Sequence, residues 1–250
     1  MVQTPFKNQM PTPPEILGHL TSRQVLDLAT GSGNFIHFLL EGLPPGAQIL
    51  GVDANPRAAQ AFTAAFADQP NVRFQVGDAL NLGFAAGTFD LVCLSNSLHH
   101  FANPQPVLRQ MDRVLRPGGT LLIAEMYCDG QTAAQQTHVE LHHWWAAVDR
   151  LHGIIHRETY PRQALIDLLT GLGLEALTCH DLADLTSNPF APEIRAELEP
   201  VFERYLQRAE GQPELQARGA ALRERVETVG FQSATTLLSL GVKPRPQGAR

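Results

Sequence analysis

The sequence predicts an α/β protein whose open, doubly wound sheet of mainly parallel strands is wrapped by helices on both faces. Two patterns point there. Short apolar runs bounded by turn residues alternate with stretches of helical period through the first half of the chain. One such run, Val25 to Leu28, passes through a glycine-rich turn straight into a helical pattern at Asn34. A chain of 250 residues with 44% hydrophobic and 18% charged content is also long enough for one sizeable domain carrying an elaboration.

Charge and composition narrow the function classes. The formal net charge is −6, and Lys and Arg are scattered except in the tail Lys243 to Arg250, which argues against a nucleic-acid partner. No apolar run reaches the roughly 18 to 20 residues of a membrane span, and the start MVQTPFKNQMPTPPEIL lacks a signal pattern. We therefore expect a cytoplasmic protein with no membrane partner. Cys93, Cys128 and Cys179 lie far apart within or beside apolar runs, as buried thiols of a reducing compartment do.

Taken in order, residues 1–12 read as a loose arm and Pro13 to Leu20 as a short helix, together an N-terminal arm over 1–23. The first strand carries one acid, Asp27, and ends in the turn Gly31-Ser32-Gly33. Glycines there let the backbone turn sharply and let a ligand approach closely, and the first amides of the next helix can bind an anion. That helix, Asn34 to Glu41, stops at Leu43-Pro44-Pro45-Gly46. A second strand, Gln48 to Asp53, places an acid twenty residues after Gly33, the spacing at which a βαβ unit sets a carboxylate on a ribose. An Ala-rich helix from Pro56 to about Ala67 and a strand, Val72 to Val76, follow, closed by Gly77-Asp78-Ala79. Phe89 to Ser95 is a near-continuous apolar run, as a central parallel strand must be. Polar groups follow it in Asn96-Ser97-Leu98-His99-His100, where open sheets place their reactive crevice. A helix, Gln105 to Leu115, stops at Arg116-Pro117-Gly118-Gly119 before a strand, Thr120 to Met126.

The glycine loop is not the dinucleotide fingerprint, because Ile36 stands where a third glycine is needed and Asp27 would repel a pyrophosphate; a nicotinamide-dependent dehydrogenase is disfavoured accordingly. A zwitterion fits better, its carboxylate on the amides after Gly31 and its ammonium facing Asp27. The stretch Val25 to Phe35 resembles motif I of the class I S-adenosylmethionine (SAM)-dependent methyltransferases, with Ala29 in place of the first glycine. The segment FDLVCLSNSLHHF resembles motif IV of the small-molecule members, including the ubiquinone/menaquinone type, and Leu115 to Gly119 resembles the family's turn before its fifth strand. Five ordered motifs over residues 24–127 carry the resemblance. It implies a Rossmann-like, seven-stranded sheet whose last strand runs antiparallel between strands five and six. It also implies SAM as cofactor, bound through Asp27, Ala29, Gly31, Gly33, Asp53, Ala54, Gly77, Asp78, Ala79 and Ser95, with Asp53 on the ribose and Asp78 on the adenine. The motif of enzymes that methylate exocyclic or amide nitrogens is absent, so those substrates are disfavoured.

The second half is less familiar. Gln131 to His156 reads as one long helix with an apolar stripe, Leu141, Trp144, Val148, Leu151 and Ile155, to be buried against the body of the protein. One step around lies a second stripe, His138, His142, Trp145, Asp149, His152 and His156. Tyr160 to Leu172 should be a helix, Leu174 to Cys179 a sixth strand, and two amphipathic helices an insertion over 187–231. Ser233 to Leu240 returns as the last strand, within a final segment 232–250. The core is thus expected over 24–186, with residues 130–160 as a lid and the helical insertions as a cap.

In-line methyl transfer asks the protein to hold the acceptor, exclude water and, where needed, remove a proton. His99, His100 and His142 are the candidate catalytic groups, and Asn96, His138, His142 and Trp145 the candidate contacts to a small-molecule acceptor. His138 and His142 stand i, i+4 on a helix, a metal-ligand spacing, but Glu140 is off that face; we read the stripe as facing substrate and assign no metal. A SAM-binding protein without transferase activity is the alternative. The sequence leaves the acceptor and the oligomeric state, a homodimer included, open.

Overall fold

The computed structural model describes residues 11–246. Strands covered on both faces must be apolar on both, and β1 (Gln24–Leu28) and β4 (Phe89–Ser95) satisfy this. Leu26 and Leu28 of β1 and Val92 and Leu94 of β4 enter one core layer, while Val25, Leu91 and Cys93 enter the other. The first layer is closed by α4 (Gln105–Val114) and α6 (Arg162–Thr170) through Leu108, Met111, Leu165 and Leu169. The second is closed by α1 (Pro13–Leu17), α2 (Asn34–Gly42) and α3 (Ala58–Ala65) through Leu17, Ile36, Leu39 and Phe62.

With β2 (Gln48–Asp53), β3 (Val72–Val76), β5 (Leu115–Met126), β6 (Glu175–Leu182) and β7 (Thr236–Val242), the sheet has seven strands in the order β3-β2-β1-β4-β5-β7-β6. Strands β1 to β5 pair in parallel, and β7 runs antiparallel to both β5 and β6. The strand order reverses between β1 and β4, so a crevice opens beyond their carboxyl ends.

Several expected boundaries move, each for a local reason. The helix expected over 131–156 is α5 (Ala133–Leu151), which begins in a reciprocal Thr132/Gln135 cap and stops before Gly153, whose φ of +72° no helix can continue. Ile155 and His156 are therefore off the helix, and Leu151 and Ile155 are exposed rather than buried. The rest of the apolar stripe does not meet the body of the protein as expected. Leu141, Trp144 and Val148 pack instead against Leu198 and Phe202 of α7 (Pro192–Arg208) and Leu222 and Val226 of α8 (Pro213–Thr228), a separate small core. These three helices are the cap, and the histidine side of α5 is turned toward the sheet.

The Pro117-Gly118-Gly119 turn is an irregularity within β5, which already pairs through Leu115, so that strand begins earlier than Thr120. The helix expected over 160–172 is shorter, β6 extends past Cys179 to Leu182, and the last strand is shifted to Thr236–Val242. Residues 1–10 of the expected arm and 247–250 of the basic tail lie outside the described residues; α1, however, is docked, with Ile16 and Leu17 buried against α2. Among the described residues no helix is long and apolar enough to cross a membrane.

Candidate active site

The carboxyl ends of β1, β2, β3 and β4 surround a cavity of about 200 Å³ lined by Ala29, Val52, Asp53, Ala54, Gly77, Asp78, Ala79, Ser97, His100 and Phe101. Of the residues expected to hold a cofactor, Ala29, Asp53, Ala54, Gly77, Asp78 and Ala79 are brought together on its wall; Asp27, Gly31, Gly33 and Ser95 lie around it without lining it. Ser97 stands at the wall where Ser95 was expected, its hydroxyl donating to the Ser95 carbonyl at 2.8 Å.

Asp53 is fixed by backbone. Its Oδ2 accepts from the Gly31 amide and its Oδ1 from the Asn55 amide, both at 2.8 Å, which ties the end of β2 to the loop after β1. Asp78 Oδ1 likewise accepts from the Leu80 amide at 2.8 Å. The two glycines of the loop differ. A Cβ on Gly31 would meet open space, so only its φ of +55° resists a side chain and a ligand has room to approach; one on Gly33 (φ +89°) would run into the Phe66 ring.

Asp27 is 1% exposed. Its Oδ2 accepts from the Thr30 hydroxyl at 2.6 Å, while its Oδ1 has no hydrogen-bond partner among the described residues. Burial, outweighing the Thr30 hydrogen bond and helped by the charge of Asp53, pushes its carboxyl up from 3.8 to about 7. An orphaned carboxylate oxygen under the loop, an unobstructed Gly31 and an anchored Asp53 together suit a ligand that brings an ammonium and a ribose, so the residues present fit SAM.

Beyond β4 the histidines gather. His99 and His100 lie in a single 3₁₀ turn, Leu98–His100, and neither caps α4, whose first amide is taken by Asn103. His100 reaches the cavity; its Nδ1 donates to the Ile155 carbonyl at 3.4 Å, and burial, together with His99 and His156, lowers it to about 4. His99 is buried, with Nδ1 2.5 Å from Glu125 Oε1, and Glu125 Oε2 accepts the Ser97 and Leu98 amides at 3.0 and 2.8 Å. His142 faces the His99 ring edge-on at 4.6 Å, and burial, then its histidine neighbours, lower it to about 2. His156 Nδ1 lies 2.7 Å from Asp149 Oδ2; burial works against the Asp149 carboxylate, but hydrogen bonds from His156 and Arg208 hold it below the usual range.

The other expected acceptor contacts are placed differently. His138 Nδ1 accepts from the Ala234 amide at 2.9 Å, and burial lowers it to about 4. Trp145 lies between His142 and Tyr205 with its indole N–H buried and without a partner among the described residues, and Asn96, at φ 42°, turns its side chain back to accept from the Met126 amide at 3.1 Å. His152 is exposed and bonded to the Arg208 carbonyl, away from the cluster. Sequence reasoning placed Ser97 and Phe101 at the crevice without giving them a role, and missed Glu125, for which the signal was a lone acid inside the apolar strand TLLIAEM.

Comparison with known proteins agrees with this geometry. Residues 26–123 match the family described as "Methyltransferase domain". The demethylmenaquinone methyltransferase of Thermus thermophilus is 40% identical over 104 residues, 41% of this chain, and the chain spans just under half (47%) of that relative's length. Among solved structures, the YcgJ protein of Bacillus subtilis superposes with a TM-score of 0.60 at 17% identity, covering 92% of this chain and 96% of that one. Phosphoethanolamine N-methyltransferase 2 of Haemonchus contortus, in complex with S-adenosyl-L-methionine, does so with a TM-score of 0.57 at 16% identity, covering 92% of this chain and 51% of that one. At such identities the superpositions speak for the Rossmann-like fold alone. The matched segment holds most of β1 through β5 and the loops around the cavity, so it is this part of the chain that is similar to a methyltransferase domain.

Proposed function

We propose that the protein binds SAM in the cavity beyond β1 to β4 and transfers its methyl group to a small-molecule acceptor held between the sheet and the helical cap. The observation that carries this reading is the Asp53 carboxylate, fixed by the Gly31 and Asn55 amides at the wall of that cavity. In this reading Asp53 accepts from the ribose hydroxyls, Asp78 meets the adenine, and Asp27 faces the ammonium across Gly31. SAM would supply an electrophilic methyl on a sulfonium; the chain's own work is to position and to exclude water.

His100 is the histidine that reaches the cavity wall. With Nδ1–H committed to the Ile155 carbonyl, its Nε2 lone pair is left to orient an acceptor hydroxyl or thiol and to take its proton. Acceptor choice belongs to the cap, which lies outside the matched 26–123 segment. The relative's acceptor class, a demethylmenaquinone, is one candidate to try. Free Cys93, Cys128 and Cys179 support the cytoplasmic reading.

Titration calorimetry with SAM and S-adenosylhomocysteine, followed by incubation of methyl-labelled SAM with a fractionated metabolite extract, tests the proposal. Acceptor-dependent release of S-adenosylhomocysteine is the expected result. SAM binding without turnover on any fraction would favour a SAM-binding protein that lacks transferase activity, and no SAM binding would overturn both readings.

A further inference from the structure

The histidines behind His100 are more than that transfer requires. One ring nitrogen from each of His99, His142 and His156 lies within 4.8 Å of the other two, and the three side chains are 2%, 8% and 5% exposed. They come from three places: the turn after β4, the middle of α5 and the loop after α5. Carboxylates brace two of them. Because Glu125 already accepts two backbone amides, it is the acceptor toward His99 as well; Nδ1 of His99 donates and Nε2 carries the lone pair. Asp149, which also accepts from Arg208 at 2.5 Å and Tyr205 at 3.2 Å, fixes His156 the same way.

His142 Nε2 stands 3.3 Å from His156 Nε2, long for a hydrogen bond between nitrogens. It is, however, about the separation of two nitrogens that each sit roughly 2.0 to 2.1 Å from one tetrahedral ion. The other His142 nitrogen, Nδ1, is buried without a hydrogen-bond partner among the described residues, so the contact with His156 is the one hydrogen bond found for this ring among them. Imidazoles that converge while carboxylates hold Nδ1, as they do for His99 and His156, are the way proteins present histidine to a metal.

We propose that His99, His142 and His156 form a three-histidine site for a divalent transition ion of zinc's class. Neutral nitrogen donors without a carboxylate in the inner set select such ions over magnesium or calcium. Three protein ligands leave a fourth position for water or, where the methyltransferase reading holds, for an acceptor's oxygen or sulfur beside His100, whose ring lies 4.3 Å from that of His99 and 4.5 Å from that of His156.

The test uses the full chain stripped by a chelator and titrated with zinc chloride against a chromogenic competitor, with cobalt(II) absorption as a second readout. One equivalent should bind, and cobalt should give the visible bands of a four-coordinate ion. His142→Ala should weaken zinc by more than about a hundredfold and Glu125→Gln by about 10- to 100-fold, whereas His152→Ala, outside the trio, should leave it unchanged. Circular dichroism and a SAM titration accompany each variant. Zinc binding no stronger in the wild type than in a folded His142→Ala protein would overturn the site. Should His142→Ala fail to fold, cobalt bands that survive in Glu125→Gln at wild-type affinity would overturn it instead. SAM binding without zinc binding would sink this proposal and leave the methyltransferase reading standing; zinc binding without SAM would do the reverse.

Discussion

Two aspartates near the cavity act in opposite ways. Asp53 is held by the Gly31 and Asn55 amides, so under the proposed function a ribose would meet an ordered acceptor. Asp53→Ala should weaken SAM by about 1.5 to 3 kcal/mol, roughly tenfold to more than a hundredfold in titration calorimetry; unchanged affinity would remove the ribose role. Asp27 keeps its proton up to about pH 7 in the fold, against 3.8 ordinarily, because burial disfavours its charge. Between those values the folded state binds more protons than the unfolded one, so the stability tied to this proton is complete below about 3.8 and is lost as pH rises through about 7. Asp27→Asn, which stays neutral, should therefore gain on the wild type in urea unfolding at pH 8 and match it near pH 4. A ligand ammonium beside Asp27 pulls the other way: SAM binding at pH 6 should release close to one proton, about none at pH 8, readable by calorimetry in buffers of different ionisation heat. His100, lowered to about 4, should keep its base form well below neutrality, so the acid limb of kcat/KM should fall near 4 rather than near the ordinary 6.5. A limb near 6.5 would assign the titrating group elsewhere.

At the scale of elements, the cap depends on one close helix contact. A Cβ on Gly219 of α8 would run into the Trp144 ring of α5, and Trp144 is fully buried with its indole N–H on the Leu215 carbonyl at 2.9 Å. Gly219→Leu should destabilise the protein by roughly 1 to 3 kcal/mol in thermal unfolding while SAM affinity stays near wild type; a loss of SAM binding in a folded variant would mean that the cap and the cofactor loop are coupled. The strands β2, β3 and β4 were legible to the residue: β2 ends in Asp53, β4 in Ser95, and β3, an alternating VRFQV, is stopped by Gly77. Helix α5 was legible in period but not in extent or partner. Periodicity says which residues share a face; it does not say that α7 and α8, some sixty residues on, will cover that face and turn His142 toward His99. His156 was assigned to the same helical stripe, yet it joins the cluster from beyond Gly153, a contact that only the fold can supply. Glu125 was hidden for a related reason: within a strand that reads as buried, its two amides and one imidazole come from the neighbouring strand's exit loop.

For the molecule as a whole, β7 closes the sheet by pairing along β5, residue Thr236 against Met126 and Val242 against Thr120. Removing residues 232–250 should leave β5 and β6 without their shared partner and abolish the cooperative fold, seen as loss of a sharp thermal transition. The cap has its own apolar cluster, distinct from the two that line the sheet, so amides of α7 and α8 should exchange with solvent through a partial opening while those of β1, β4 and β5 wait for global unfolding. Hydrogen exchange read by mass spectrometry distinguishes this from a single cooperative unit. Helix α5 belongs to both parts: Leu141, Trp144 and Val148 are cap, and His142 faces the sheet-end histidines. The cap helices and the imidazole that meets His99 are thereby carried on one cassette, residues 131–231. A graft of that cassette onto another scaffold of this fold would transplant two of the three clustered histidines, His142 and His156, and would complete the cluster only where the host's own β4 exit and fifth strand bring a matching imidazole and acid.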